Sequence, residues 1–100
     1  MGRPIKLAKN RKAMVQAMQD KSGYLYCQRC YTSNTFKFEV HHIVFRSEAP
    51  SHPNLHEPIN LIILCKPCHD ALHTHKYLRN PIVKTRELNT VFERNLIIEK

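Results

Sequence analysis

The sequence has no tryptophan, only 8% aromatic residues, and half as many acids as bases. Its 100 residues amount to one domain. A domain of this size buries only about two-thirds of the surface its unfolded chain exposes. With so few large aromatic side chains, a metal staple is expected to support the core. Long hydrophobic runs are missing too. The longest strongly apolar stretch, Leu61 to Cys65, falls far short of the roughly 20 residues of a membrane span. No hydrophobic signal core opens the chain, and Lys6 stands where a myristoylation signal carries Ser or Thr. These absences lead to the expectation of a soluble, cytoplasmic protein. In a reducing compartment, close cysteine pairs point to metal rather than disulfides.

Acids are scarcest at the start. Arg3, Lys6, Lys9, Arg11 and Lys12 fall within the first twelve residues with no acid among them, and the whole chain carries a formal charge of +8. Such a balance favours a polyanion, because each phosphate neutralised releases a counterion. A solvated basic face fits the same charges, so charge supports nucleic-acid binding without establishing it.

There is no internal repeat and no low-complexity linker. Leu7, Met14, Ala17 and Met18 recur at helical spacing and predict a helix over 5–20, ended by Ser22-Gly23. Phe36, Phe38 and Val40 alternate with Lys37, Glu39 and His41, which predicts a half-buried strand. An irregular stretch over about 44–58 contains Pro50, Pro53 and Pro58; loops this long in small domains are usually functional. A short apolar strand, Leu61 to Leu64, follows Asn60. A helix over about 67–77 then begins at Pro67, and Asn80-Pro81 is expected to break the chain. A last amphipathic helix is expected over about 85–97, with Leu88, Val91, Phe92 and Leu96 on one face. The regions are thus a basic N-terminal helix (1–23), a central unit (24–77) and a C-terminal helix (81–98) within one domain.

Cys27-x-x-Cys30 and Cys65-x-x-Cys68 form two pairs with 34 residues between them. Each pair lies on a tight turn that can aim two thiolates at one ion, and four thiolates match the closed tetrahedral shell of structural zinc. A thioredoxin-like redox site needs only one such pair. A zinc closed by four cysteines leaves no open position, so it is not expected to catalyse.

Seven residues of the chain are histidine. His69 and His73 lie four apart on the predicted helix, which puts their Cβ atoms about 5–6 Å apart on one face. That spacing suits two imidazoles on one metal. His69 follows Cys68 by roughly 100° of helix, so the two metal sites belong on different sides of the helix start. His41 and His42 end the first strand. His52, His56 and His75 read as loop and surface residues.

Taken in order, Glu39-Val40-His41-His42-Ile43, then Asn60-Leu61-Ile62-Ile63-Leu64-Cys65, then Cys68-His69 and His73 resemble the HNH nuclease motif. The resemblance is to the subgroup in which two Cys-x-x-Cys pairs bracket the site, and it covers residues 27–73. His42, Asn60 and His69 are the residues of the family's name. The resemblance implies an α+β fold: a small, treble-clef-like ββα-metal core with flanking N- and C-terminal helices. It implies a metal-dependent DNA endonuclease in which His41, His69 and His73 hold a catalytic divalent ion and His42 is the general base. Asn60 would orient the His42 imidazole or brace the long loop, although in some members it binds the metal. Arg46 occupies a position where members often carry a phosphate-contacting arginine. Many members have an acid where His41 stands, and histidine there suits Zn, Ni or Mn better than Mg.

Adjacent strand residues face opposite ways, so His41 and His42 reach one site only if the strand ends or twists there. Compact stand-alone HNH proteins are common in phages and mobile elements. Two further readings remain: a catalytically silent zinc module that binds nucleic acid, and a nuclease subunit active only with a larger partner such as a terminase. A homodimer through the C-terminal helix would turn a nickase into a double-strand cutter.

Overall fold

The computed structural model describes residues 5–35 and 37–96. Expectations resting on Arg3, Phe36 and residues 97–98 lie outside the described residues. The first helix, α1 (Ile5–Ser22), contains neither glycine nor proline. It ends where Gly23 turns left-handed (φ 83°) and donates its N–H to the Gln19 carbonyl at 2.8 Å, a conformation that glycine adopts without a Cβ penalty. Leu7 and Met18 are buried. Asn10 donates to the His56 carbonyl at 2.8 Å, and Lys6 pairs with Glu57, so α1 is fastened to the end of the long loop.

Two antiparallel strands form the sheet, β1 (Phe38–His42) and β2 (Leu61–Cys65). Their register sets Phe38 opposite Cys65, His41 opposite Ile62 and His42 opposite Leu61. The first strand thus starts and ends later than its alternation predicted, and His42 lies within it. All five residues of β2 are buried, because both of its faces are covered. Ile62 and Leu64 join the main core with Leu72, Val83, Leu88 and Phe92. Ile63 faces Met14, Ala17 and Met18 of α1. Burial of each such aliphatic side chain contributes about 1.5–3 kcal/mol. At the edge of β2, the Gln28 N–H donates to the Ile63 carbonyl at 2.8 Å, and the Ile63 N–H donates to Gln28 Oε1 at 2.9 Å.

Helix α2 (Lys66–Thr74) follows β2 directly, with Pro67 in the first turn, where no N–H is needed. It is shorter than the sequence suggests. His75 leaves helical geometry (φ −128°, ψ 84°), and a 3-10 turn over Lys76–Arg79 takes its place. Pro81 does not break the chain but sits in the first turn of α3 (Asn80–Thr85).

The single helix expected over 85–97 is absent. Glu87 turns left-handed (φ 53°), and only Leu88–Val91 form a further helix, α4. Val83 and Phe92 are both about 1% exposed, yet nine residues of straight helix would set them about 180° apart. The bend at Glu87 lets both reach one core. Leu88 and Leu96 are buried there as well, so the apolar pattern was read correctly and its continuity was not.

The long loop between the strands has no regular structure but many anchors. Asn60, fully buried, accepts the Val44 N–H at 2.7 Å and donates to the carbonyls of Val44 (3.0 Å) and Leu55 (2.9 Å). Glu48 receives two 2.6 Å hydrogen bonds from Arg79, one of the least exposed side chains of the fold. Arg79 also donates to the Ile43 carbonyl at 2.9 Å. The result is an α+β fold with a ββα core whose loop is tied down on both sides. No helix among the described residues is long and apolar enough to cross a membrane.

Candidate functional site

The four cysteines converge. Cys27 and Cys30 sit on the turn before β1, Cys65 ends β2, and Cys68 lies in the first turn of α2. Their Sγ atoms all lie within 4.8 Å of one another. A tetrahedral shell with metal–sulfur bonds near 2.3 Å separates its sulfurs by about 3.8 Å, and Cys30 Sγ is 3.7 Å from Cys65 Sγ. The backbone N–H groups of Arg29 and Cys30 point at Cys27 Sγ (3.4 and 3.5 Å), and Arg29 Nη1 donates to Cys68 Sγ at 3.4 Å. Tyr31 closes the first turn in a left-handed conformation (φ 65°), its N–H on the Cys27 carbonyl at 2.8 Å.

Charge explains why these thiols belong with a cation. Burial opposes ionisation of Cys27, but the surrounding N–H donors outweigh it and bring its pKa down to about 6. Burial and the neighbouring cysteines push Cys68 up to about 12, against the pull of Arg29. Cys27 ionises readily while Cys65 and Cys68 resist ionisation, an imbalance that a shared divalent cation removes. The donor set fits a structural metal.

A second convergence lies on the other side of the start of α2. His41 on β1 and His69 and His73 on α2 bring one ring nitrogen each within 4.8 Å of the others. Their ring centroids form a near-equilateral triangle with sides of 4.6, 4.5 and 4.6 Å. Nε2 of His41 is buried without a hydrogen-bond partner, an orphan that a metal ion would satisfy. Burial first, then the facing His69 and His73, lowers the pKa of His41 to about 4. Near neutral pH it is therefore the unprotonated imidazole that binds metals. Glu39, two residues back on β1, places a carboxylate oxygen 3.4 Å from Nε2 of His69. Phe45 stacks on His73 and tilts against His41, with ring centroids 5.2 and 5.4 Å away, walling one side of the triangle.

His42 turns the other way. Its Nε2 lies 3.0 Å from Nδ1 of His56. Burial, then His56, Arg11 and Arg46, lowers its pKa to about 4. Strand alternation is thus kept: His41 faces the α2 histidines, and His42 faces the loop. Asn60 hydrogen-bonds the backbones of Val44 and Leu55 and so ties the two ends of the loop together.

Residues 27–75 match the family model for the HNH endonuclease. They form an HNH endonuclease domain. No curated protein and no solved structure matches the chain. The matched segment of the HNH domain spans both clusters and the whole ββα core, while α1 and the C-terminal helices lie outside it.

The cations singled out from the sequence do not share one face. Arg11, half-buried on α1, is close enough to influence His41, His42 and His56. Exposed Arg46 acts on His42 and His56. Lys6 is engaged with Glu57. Lys9 and Lys12 are exposed and leave α1 about 160° and 100° around from Arg11.

Four residues at the site carry no signal in the sequence. His56, expected as a loop and surface residue, lies on the loop but meets His42. Phe45, Glu48 and Arg79 form a wall and anchor beside the triangle, and no motif or period marks them. His52 packs on Phe92 with ring centroids 4.6 Å apart, whereas His75 stays exposed. A cleft of about 650 Å³ lined by Arg29, Tyr31, Tyr77 and Arg86, among others, has no histidine in its wall; another of about 550 Å³ is lined by Arg46, His52 and His56.

Proposed function

We propose that this HNH domain is a metal-dependent DNA endonuclease that hydrolyses phosphodiester bonds. The observation that carries this reading is the triangle of His41, His69 and His73; His42, the last residue of β1, faces the loop, and in this reading the attacking water is activated from that side. In this reading the four cysteines hold structural zinc, and the three histidines hold one catalytic divalent ion, Mg2+, Mn2+, Ni2+ or Zn2+. Such an ion supplies charge stabilisation at the scissile phosphate and its leaving oxygen.

The chain's own residues do the rest. His42 is unprotonated near neutral pH, is held at the end of β1 by the contact of its Nε2 with His56, and in this reading takes the proton from attacking water through Nδ1. Asn60 keeps the loop folded back beside it. Arg46 and Arg11 supply positive charge next to His42, where a phosphate needs it. Lys9 and Lys12 extend contacts to the DNA backbone further along the duplex. DNA is the preferred polyanion given the family match and the charge of +8.

Purified protein incubated with supercoiled plasmid and one metal at a time tests the reading. Nicking or linearisation is expected with at least one divalent metal. His42→Ala is expected to lower the rate by about 10²–10⁴-fold while leaving the fold intact. A folded protein that binds DNA yet cuts with no metal would instead support a silent zinc module or a partner-dependent subunit.

A further inference from the structure

The contact between His42 and His56 links two parts of the loop that nothing in the motif connects. His42 ends β1, while His56 lies fourteen residues later, just before the Pro58–Asn60 turn. Their facing nitrogens are 3.0 Å apart, inside normal hydrogen-bond range.

His56 is held from several directions. Its carbonyl accepts from Asn10 of α1 at 2.8 Å. The next residue, Glu57, pairs with Lys6 of α1 and sends its N–H to the Asn54 carbonyl at 3.2 Å. The preceding residue, Leu55, is buried, and its carbonyl accepts from Asn60 at 2.9 Å. Because Asn60 also grips Val44, two residues after His42, one side chain governs the separation of the two histidine-bearing segments. A freely moving surface residue would not carry this much support.

Only one nitrogen of the facing pair can donate. If His56 donates, the His42 lone pair is consumed at Nε2 and its Nδ1 carries the proton, leaving no basic nitrogen. If His42 donates from Nε2, its Nδ1 lone pair is free. A base therefore requires the second arrangement.

We infer that His56 is a positioning residue: its Nδ1 accepts the Nε2–H of His42 and holds that ring in the tautomer and rotamer whose Nδ1 can take a proton from water. This inference rests on the general-base reading of His42. It also assigns α1, outside the matched family segment, the task of locking His56 in place.

The test compares wild type, His56→Ala, His56→Asn and His42→Ala in plasmid cleavage, with the His42 tautomer read separately by ¹⁵N NMR of protein loaded with one equivalent of zinc at the cysteines and no second metal. Asparagine can present its Oδ1 where His56 presents Nδ1. His56→Ala is expected to lower kcat by about 10–100-fold, as loss of a ligand-orienting partner does elsewhere, with KM for DNA changed less than about twofold and an unaltered melting transition. His56→Asn is expected to recover most of the rate. In wild type the His42 proton should reside on Nε2, and that preference should weaken in His56→Ala.

A wild-type kcat in His56→Ala, an Asn variant no better than Ala, or a His42 proton on Nδ1 in wild type would each overturn the inference. Full cleavage by His42→Ala would overturn the general-base reading itself and with it this role for His56. Because the tautomer is read without catalytic metal or DNA, that failure is distinguishable from failure of the positioning contact alone.

Discussion

The two clusters share one helix yet differ in almost every physical respect. The cysteine cluster has four thiol donors, three of them buried, with backbone N–H groups aimed at sulfur. The histidine cluster has three imidazole donors, with His41 and His69 half-buried and His73 exposed. Four donors close a tetrahedron, whereas three leave a side for substrate or water. Helix α2 thus divides the labour in the proposed reading: Cys68 fastens it to the Cys27–Cys30 turn, and His69, one residue on, faces the open histidine cluster. Stability and reactivity are thus separable by single substitutions.

The largest expected effect tests the closed side. Cys65→Ala should abolish the cooperative melting transition seen by circular dichroism, since structural zinc contributes about 10–16 kcal/mol of binding energy to small domains. A variant melting like wild type would mean that the cysteines do not staple the fold. On the open side, His69→Ala should lose cleavage and one of two bound metals, measured by elemental analysis, while keeping its melting temperature within a few degrees. A coupled loss of both metals would erase the distinction between the clusters.

Glu48→Gln probes the anchor beside the histidine triangle. It leaves the Arg79 charge buried without its partner, a loss of about 3–5 kcal/mol, or roughly 10 °C or more in Tm for a domain of this size. The pH dependence has a definite sign. Burial would raise the Glu48 pKa, but Arg79, the Phe45 N–H and Lys76 hold it below its ordinary value of 4.5. The pair's contribution is therefore complete above that pH and fades as pH falls through the depressed value. The Tm gap between wild type and Glu48→Gln should close in acid, and a gap constant down to pH 2 would refute the ion pair. The smallest effect is expected from Arg46→Ala, which should weaken DNA binding uniformly and reduce the salt slope of log K by about 1.

Much of the core is legible in the sequence because it is periodic or strictly spaced. Two Cys-x-x-Cys turns, the i,i+4 histidines and the strand alternation each encode a local geometry, and the clusters follow once the strands pair. His56, Glu48 and Arg79 obey no such rule. They meet partners 14 and 31 residues away across an irregular loop, where position depends on tertiary contacts alone. The C-terminal region failed for a different reason. Leu88, Phe92 and Leu96 fit a continuous helix, and only the competing demand of buried Val83 shows that a straight one cannot satisfy them all.

The hydrogen bonds between Gln28 and Ile63 have one more consequence. The segment Leu61–Cys65 is the stickiest stretch of the chain, apolar throughout and extended, the kind that recruits other strands when its edge is bare. Gln28 reaches that edge from the Cys27–Cys30 turn, whose shape the proposed zinc would hold. Zinc supply would then act as a solubility switch: chelation would uncover a strand edge able to seed intermolecular sheets, so metal-starved protein would be lost to aggregation before its chemistry mattered.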